Sequence, residues 1–326
     1  MSDFSWAGRP VLVTGATGLV GSWLVKELLE RDAKVVLLVL DADPQSELIR
    51  SGDLNRCNVV NGDLADFAAV ERAVNLHDVD TVFHLGAQTL VGVAHRFPVP
   101  TFQANMAGTW NVMEAARQHS GLVERVVVAS SDKAYGEVKN LPYLEDMPLH
   151  GLHPYEMSKT CTDLIAQCYA HTYDVPVTIA RFGNVYGGGD LNFSRIVPDT
   201  IRSLHRGQRP IIRSDGTFLR DYVYVKDVAR AYLRMGERMD DARVRGEAFN
   251  FSGEKPTSVL EMVQAIQKLM DRTDLEPDIR NTARGEIKDQ YLDASKARDR
   301  LDWTPDYDLE SGLRETIDWY RTHLAG

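Results

Sequence analysis

Cysteine is scarce in this sequence, and its scarcity limits the available chemistry. Only Cys57, Cys161 and Cys168 occur among 326 residues. An odd number without paired spacing argues against a disulfide framework and against a cysteine-based zinc site. The nine histidines show no ligand spacing either, so we predict no bound metal. The opening MSDFSWAGRP lacks a basic region followed by an apolar core of signal-peptide length, and we therefore expect a reduced, cytoplasmic protein.

Long hydrophobic runs and positive charge are also lacking. The longest aliphatic run, VVLLVL at residues 35–40, is far too short to cross a bilayer and has the length of a buried strand. The 37 Lys and Arg residues are outnumbered by 47 Asp and Glu residues, which gives a net charge of −10. A negative surface repels phosphate backbones. We expect neither a membrane segment nor a nucleic-acid partner.

The first half of the chain alternates short apolar runs with longer helical stretches. The apolar runs span residues 10–14, 34–40, 57–60, 80–85, 124–130 and 176–182. Such alternation is typical of βα units around a parallel sheet. It predicts an α/β fold with a doubly wound parallel sheet, in which a helix of about five turns covers 101–121.

The composition changes after residue 182, where loops rich in Gly, Arg and Asp precede a helix near 257–270 and an amphipathic ending. We predict that residues 1–182, plus roughly 222–250, form a nucleotide-binding domain. Residues 183–221 and 251–326 then form a smaller C-terminal substrate-binding α/β domain.

Three glycines follow the first apolar run in the stretch VTGATGLVG. Gly15, Gly18 and Gly21 occur where a strand would turn into a helix, and they allow a diphosphate to approach the helix N-terminus closely. Asp41 ends the second run, where a carboxylate accepts hydrogen bonds from ribose hydroxyls and repels a 2′-phosphate. The pattern predicts a Rossmann sheet that binds NAD rather than NADP. The structural alternative is a tight turn with a solvated Asp41.

Further NAD contacts are predicted at the ends of the later runs. Asp63 in NGDLAD either faces the adenine edge or caps a turn. Gly86 and Ala87 give the dinucleotide room, whereas we interpret His84 as a hydrogen-bonded core histidine. The full predicted set is Gly15, Thr17, Gly18, Leu19, Val20, Gly21, Asp41, Asp63, Leu64, Leu85, Gly86, Ala87, Tyr155, Lys159, Asn184 and Val185.

Tyr155 and Lys159, in PYEMSK, are four residues apart and so share one face of a helix. An ammonium beside a phenol favours the phenolate, which predicts a Tyr155 pKa lowered toward neutrality and a role as general base. Ser131 lies at the end of the fifth run, and ligands of open parallel sheets bind outside such strand ends. We expect Ser131 and Tyr155 to hydrogen-bond a reacting hydroxyl in hydride transfer.

These motifs resemble a known family. The glycine spacing, SSDKAYG, PYEMSK, RFGNVYG and RDYVYVKDV match, in order, the extended short-chain dehydrogenase/reductases that act on nucleotide sugars. Within that family, HLGAQTLV, GNVYGGGDLNFSRIVPDTIRS, SDGTFLRDYVYVKD and EIKDQYLDASKA resemble the CDP-glucose 4,6-dehydratase subgroup. The resemblance implies a tightly held NAD, a 4-keto-6-deoxy sugar product and a homodimer built on a helix bundle that includes the Tyr155 helix.

The resemblance gives Asp132 and Lys133 roles in dehydration, because an epimerase needs only Ser131, Tyr155 and Lys159. Asp132 would be the acid that protonates the departing C6 hydroxyl. Lys133 replaces the glutamate base of TDP-glucose relatives, and two roles stay open: a base with a lowered pKa, or a cation that stabilises the enolate. A third possibility is that the two residues form an exposed ion pair at a strand end.

Substrate contacts are predicted mainly in the second half of the chain. Arg220 is our first choice for the diphosphate, because a guanidinium presents several donors in one plane. Relatives place a second diphosphate-binding arginine near IKDQYLD, where this chain has Lys288 and Gln290. The predicted substrate contacts are Gln88, Asn184, Asn192, Arg195, Arg213, Arg220 and Gln290.

Two other functional classes remain open at this point. One is a sister enzyme on the same scaffold, such as a nucleotide-sugar 4-epimerase, decarboxylase or ketoreductase. The other is a non-catalytic NAD-binding module, because a fold alone does not establish chemistry.

Overall fold

The structure, a computed structural model, describes residues 4–282 and 286–325. The strands are β1 (Pro10–Thr14), β2 (Lys34–Val39), β3 (Asn58–Asn61), β4 (Thr81–His84), β5 (Arg125–Ala129), β6 (Val177–Phe182), β7 (Asn184–Tyr186), β8 (Ile211–Ile212), β9 (Leu219–Arg220), β10 (Tyr222–Tyr224), β11 (Ala248–Phe251), β12 (Thr257–Ser258) and β13 (Asp278–Ile279). The α-helices are α1 (Leu19–Glu30), α2 (Glu47–Arg50), α3 (Phe67–Leu76), α4 (Val91–Arg96), α5 (Pro98–Phe102), α6 (Gly108–Gln118), α7 (Pro154–Tyr173), α8 (Ile196–His205), α9 (Val225–Glu237), α10 (Val259–Leu269), α11 (Ser295–Leu301) and α12 (Leu309–Ala325).

Seven parallel strands form the central sheet, in the order β11-β6-β5-β4-β1-β2-β3. The strand order reverses beside β1, so the carboxyl ends of β1 and β4 border a crevice of the kind that binds ligands in open α/β sheets. The predicted doubly wound parallel sheet is confirmed. A seventh strand, β11, was not among the predicted runs; it pairs with β6 and buries Phe249 and Phe251.

Helices cover both faces of this sheet, because successive residues of a strand point to opposite sides. Val11 and Val13 of β1 join the apolar cluster that contains Leu24 and Leu28 of α1. Leu12 joins the opposite cluster, which contains residues of α3, α6 and α7. The apolar layers on both faces of the sheet therefore fix the point at which each strand ends. They also fix the position of the polar residues that follow each strand.

The remaining strands form three two-stranded sheets, β10-β7, β12-β9 and β13-β8. Helices α8, α10 and α12 pack around a separate apolar cluster that includes Ile201, Ile266 and Ile317. Val185 of β7 contacts this cluster and also the core of the central sheet. The division of the chain into two domains at residue 182 stays a prediction.

The helix expected over 101–121 is interrupted. A π-helical turn, Gln103–Ala107, joins α5 to α6. The turn contains the buried Asn105, whose side-chain amide accepts from the Gln88 N–H at 2.7 Å and donates to the Gln88 carbonyl at 3.1 Å and to Ser158 Oγ at 2.8 Å. Through Asn105, the π-helical turn is thus hydrogen-bonded to the loop after β4 and to α7. Hydrophobic spacing alone does not predict such a turn.

Candidate active site

Glycine is required at two positions where β1 meets α1. Gly15 has φ +70°, and a Cβ there would lie 2.7 Å from the backbone nitrogen of Gly86. A Cβ on Gly21 would lie 2.2 Å from the carbonyl oxygen of Gly15. Both are closer than real Cβ atoms approach backbone atoms, so the tight strand–turn–helix arrangement tolerates no side chain at either position.

The N-terminus of α1 suits a diphosphate. Its N-cap is Gly18, which has no side chain to occupy the free N–H groups of the first turn. Those groups and the helix dipole attract an anion. The Thr17 hydroxyl lies 3.4 Å from the carbonyl oxygen of Asp41, whose exposed carboxylate stands just beyond β2. The cradle therefore fits a dinucleotide with its diphosphate at α1 and its adenosine ribose near Asp41.

Asp63 is exposed and acts in a turn. Its carboxylate accepts the Ala65 N–H at 2.9 Å, which is the turn-capping arrangement. The contact to an adenine edge stays a prediction. Leu64 lies over the floor of the crevice, since its Cδ1 would be 2.5 Å from a Cβ on Gly86. Leu85 and Ala87 are half-buried on either side of Gly86, and Leu19 and Val20 open α1.

Ser131, Asp132 and Lys133 follow β5 at the same edge of the sheet. Ser131 caps a short 3₁₀ helix, Asp132–Tyr135: its hydroxyl accepts the Lys133 N–H at 3.2 Å and donates to the Asp132 carboxylate at 3.0 Å. Asp132 is only 2% exposed. The possibility of an exposed ion pair is therefore wrong, because Asp132 is buried and bonded to the serine.

Lys133 extends to a distant segment of the chain. Its ammonium donates to the side-chain oxygen of Gln290. Burial lowers the pKa of Lys133; the negative charge of Asp132 opposes this effect, and the positive charge of Arg220 adds to it. These surroundings make the neutral amine more accessible than it is for a lysine in water.

Tyr155 and Lys159 lie in the first turns of α7, as the sequence predicts. Pro154 occupies the first helical position, and Glu156 and His153 form a reciprocal cap. Lys159 is buried, and its Nζ donates to the Ala129 carbonyl at 2.7 Å. The helix that carries the phenol is thereby attached to the end of the strand that leads to Ser131.

The pKa of Tyr155 differs from the sequence prediction. Burial raises it to about 12, and the positive charge of Arg195 lowers it by less. Burial also lowers the pKa of Lys159 to about 8. The expectation that Lys159 brings the phenol toward neutrality is wrong for the groups that the chain itself supplies, because burial dominates. The Tyr155 phenol is therefore protonated at neutral pH.

Buried polar residues join the strands and helices that carry the candidate site. His84 bonds to Thr14 Oγ1 at 2.9 Å and to Thr109 Oγ1 at 3.2 Å, and burial lowers its pKa to about 3. It is a core histidine, as predicted. Arg181 pairs with Asp163 of α7 at 2.8 Å within the protein, which fastens α7 to β6.

Four predicted ligand contacts lie on loops and strands near this face. The Asn184 N–H donates to the Asp221 carbonyl at 2.7 Å, within the pairing of β7 and β10. Asn192 Oδ1 accepts from the Ser194 N–H and hydroxyl, at 3.1 and 2.6 Å. Gln88 Oε1 accepts the Leu90 N–H at 3.0 Å, and Arg195 pairs with Asp190 at 3.0 Å.

Two of the predicted arginine contacts differ in their surroundings. Arg213 is exposed. Arg220 is buried and donates to three backbone carbonyls, those of Leu219, Ile287 and Lys288, at 2.6–2.9 Å. The guanidinium thus organises the segment around residue 288, and its contact with a diphosphate stays a prediction.

The segment of residues 286–293 contains a residue whose position sequence reasoning missed. Gln290 is fully buried and accepts the Lys133 ammonium, a contact that the sequence did not predict. Its role as a substrate contact stays a prediction. Asp221 fixes the segment: its carboxylate accepts N–H groups of Gly253 at 2.8 Å and Leu292 at 3.2 Å. A charged residue inside the apolar stretch LRDYVYV was the available signal for this role.

A model of the NAD dependent epimerase/dehydratase family matches residues 11–251. The chain belongs to this family. The CDP-glucose 4,6-dehydratase of Salmonella typhimurium is 30% identical over 98% of this chain and 93% of its own length. A putative UDP-glucose 4-epimerase of Methanocaldococcus jannaschii is 32% identical over 96% of this chain and 99% of its own length.

Solved structures agree with the family assignment. The dTDP-glucose 4,6-dehydratase of Bacillus anthracis, in complex with NAD, superposes with a TM-score of 0.85 at 25% identity and covers 97% of each chain. The prediction of an NAD-dependent enzyme of the epimerase/dehydratase type is confirmed by family membership. None of the described helices has the length and apolar character needed to cross a membrane. In residues 4–282 and 286–325, no three His, Cys, Asp or Glu side chains are grouped as metal ligands.

Proposed function

We propose that this member of the NAD dependent epimerase/dehydratase family is a nucleotide-sugar 4,6-dehydratase that converts CDP-glucose to CDP-4-keto-6-deoxyglucose. The observation that carries the proposal is the buried position of Asp132, bonded to Ser131 and adjacent in sequence to Lys133. Ser131, Tyr155 and Lys159 suffice to oxidise and reduce C4. Removing water from C5 and C6 needs an acid and a base in addition.

The first proposed step is oxidation at C4. NAD, when bound, would be held by the cradle of Gly15, Gly18 and Asp41, and would supply a hydride acceptor for C4, a hydride donor for C6 and the positive charge of its nicotinamide. That charge and the ammonium of Lys159 favour the phenolate against the burial that raises the pKa of Tyr155. The phenolate accepts the proton of the C4 hydroxyl, and Ser131 holds the hydroxyl oxygen by a hydrogen bond.

The second proposed step removes water. The C4 ketone acidifies the C5 proton, which Lys133 takes as a neutral amine. The ammonium that results then stabilises the enolate by its charge. Asp132 donates a proton to the C6 hydroxyl as the C6–O bond breaks. When hydride returns to C6, a proton returns to C5. The sugar loses one water in total, and the oxidation state of NAD is unchanged.

The proposed substrate rests on a relative, and the proposed homodimer rests on exposed apolar side chains. CDP-glucose is supported by 30% identity with the Salmonella dehydratase over nearly the full chain and by the sequence stretches that resemble the CDP-glucose 4,6-dehydratase subgroup. The predicted nucleotide-sugar contacts on the C-terminal half remain part of the proposal.

A homodimer is supported by apolar side chains on the outer faces of α6 and α7, where Trp110 is 46% and Leu164 is 50% exposed.

The test is mass spectrometry of the sugar nucleotide after incubating the protein with NAD and, in parallel, CDP-, UDP-, dTDP- and GDP-glucose. We expect loss of one water from CDP-glucose, a borohydride-reducible ketone and no net NADH. Unchanged mass with every nucleotide contradicts the dehydratase, and water loss from a different nucleotide alone contradicts the CDP assignment.

A second candidate is a UDP-glucose 4-epimerase. It is favoured by 32% identity with the Methanocaldococcus jannaschii protein over 96% of this chain. An epimerase would leave the mass of UDP-glucose unchanged and convert it to UDP-galactose, which chromatography separates from the substrate. The buried Asp132 and the half-buried Lys133 have no task in that reaction, so we place the dehydratase first.

A further inference from the structure

Gln290 is a buried polar residue that the steps above do not use. Its side chain is 0% exposed, and Oε1 accepts the Lys133 ammonium. Among residues 4–282 and 286–325, its Nε2 meets no acceptor with good hydrogen-bond geometry, although the side chain approaches the Tyr143 hydroxyl closely enough to oppose the rise that burial causes in the pKa of that phenol. An unpaired buried amide group is unfavourable, and an apolar side chain of the same size would fill the space without that cost. Packing alone therefore does not account for a glutamine here.

The backbone holds Gln290 in one place. Its N–H donates to the Leu219 carbonyl at 3.0 Å, and its carbonyl accepts the Asp221 N–H at 3.1 Å. Two residues further on, the Leu292 N–H donates to the Asp221 carboxylate at 3.2 Å. The Gln290 side chain therefore projects from a segment that is held in place. The direction in which its amide oxygen draws the Lys133 amine is fixed for the same reason.

Charged groups surround the Lys133 amine from four elements. Asp132 belongs to its own 3₁₀ helix, Glu156 to the first turn of α7, Arg220 to β9 and Glu286 to the segment that contains Gln290. The three carboxylates favour the ammonium and Arg220 disfavours it, while burial disfavours it most. Within residues 4–282 and 286–325, the one direct acceptor of the Lys133 ammonium is Gln290, whose amide is uncharged at every pH.

We propose that Gln290 is a positioning residue, whose neutral amide oxygen directs the Lys133 amine toward the reacting sugar while leaving that amine free to lose or keep its proton. This inference rests on the dehydratase function proposed above. A carboxylate at position 290 would hold the amine in the same direction but retain its proton more firmly, by electrostatic attraction. An apolar residue would remove the direction altogether.

The experiment compares Gln290→Glu, which preserves shape and adds charge, with Gln290→Met, which removes the acceptor. Gln208→Glu adds the same charge at an exposed site in the loop after α8 and serves as the control. Each protein is assayed for water loss from CDP-glucose across pH. In parallel, the Lys133 Nζ signal is followed by nitrogen-15 NMR titration and assigned with Lys133→Arg.

We expect Gln290→Glu to raise the pKa of Lys133 by about one unit or more and to shift the pH dependence of water loss in the same direction. Gln290→Met should lower kcat for water loss about tenfold or more and change KM much less. Gln208→Glu should match the parent protein in both measurements.

The positioning role is overturned if the parent protein removes water and both Gln290 variants keep its kcat, pH profile and Lys133 pKa. If the parent protein removes no water from any nucleotide sugar, the dehydratase function fails instead. The NMR titration still decides the contact in that case, because it needs no turnover: an unshifted Lys133 pKa in Gln290→Glu overturns it. Thermal melting and NAD binding establish that each variant is folded, and Gln290→Glu, as the shape-preserving change, carries the test if Gln290→Met does not fold.

Discussion

The Nζ of Lys159 lies 2.7 Å from the carbonyl oxygen of Ala129, the last residue of β5. This bond joins the helix that carries Tyr155 to the strand that leads into Ser131 and Asp132. Because α7 is also held to β6 by the buried Arg181–Asp163 pair, the distance between the phenol and the serine is set by core contacts. The proposed catalytic groups are thus arranged by packing that forms with the sheet.

Replacing the phenol should stop the reaction at its first step. We expect Tyr155→Phe to lower turnover of CDP-glucose by about 10²–10⁴-fold, since a general base contributes that much. NAD binding should change little. Tyr173→Phe removes a hydroxyl from an exposed residue at the end of the same helix and should retain activity. Retained water loss in Tyr155→Phe, measured by mass spectrometry, would contradict the proposed role.

The proposed role of Asp132 as the acid in water loss can be tested separately from the oxidation at C4. In Asp132→Asn, C4 oxidation should proceed while water loss falls by about 10²–10⁴-fold, so reduced nicotinamide should accumulate on the enzyme. Its near-ultraviolet absorbance after mixing with CDP-glucose measures this. Asp146→Asn, at an exposed loop position, is the control. If Asp132→Asn removes water at the parent rate, Asp132 is not the acid.

Affinity for NAD should depend on pH through Lys159. Burial lowers the pKa of Lys159 to about 8, so the amine is charged below that pH and neutral above it. A cation attracts the anionic dinucleotide, and we expect NAD affinity to fall as pH rises through about 8. Titration by intrinsic fluorescence measures it. Lys159→Met should bind more weakly and without this dependence; the same slope in Lys159→Met would assign the titration to another group.

The close approach at Gly21 predicts an unusual helix substitution. Ala normally stabilises a helix relative to Gly, yet a Cβ on Gly21 would meet the Gly15 carbonyl at 2.2 Å. We expect Gly21→Ala to lower the free energy of unfolding by about 1–3 kcal/mol and to weaken NAD binding. Gly121→Ala, where a Cβ meets no atom within 4 Å, is the control. Equal melting temperatures for the two variants would contradict the contact.

Charge on the outer face of α7 should separate the proposed dimer. Leu164 is half exposed on this helix, and we expect Leu164→Glu to yield a monomer because burying an unpaired carboxylate in an interface is costly. Leu76 is the last residue of α3 and is 67% exposed, so Leu76→Glu should leave the assembly unchanged. Sedimentation velocity measures both. A dimer that survives Leu164→Glu places the interface elsewhere.

The residues that sequence could predict are those governed by local rules. Gly15, Tyr155 and Lys159 follow from a strand–turn–helix pattern and a helical spacing of four, and Ser131 follows from the rule that ligands bind beyond strand ends. The sheet was predictable for the same reason: its strands are continuous apolar runs.

The rest depends on contacts between distant parts of the chain. Lys133 and Gln290 are 157 positions apart, and they meet because Leu219, Arg220 and Asp221 together hold the later segment in place. The carbonyl contacts of Arg220 and the raised pKa of Tyr155 likewise come from tertiary burial, which spacing does not encode. The π-helical turn at Asn105 satisfies a long-range hydrogen-bond set in the same way.

The edge strand β11 has a consequence for biosynthesis. It pairs with β6, and it is made from residues 248–251, more than sixty residues after β6 ends. A nascent chain that has emerged only as far as residue 182 therefore exposes the open edge of β6, a template for pairing with other chains. Helix α9, which packs on α1, is made in the same interval. The proposed catalytic residues are translated early, but the sheet that holds them is closed on this side only after about three quarters of the chain has left the ribosome.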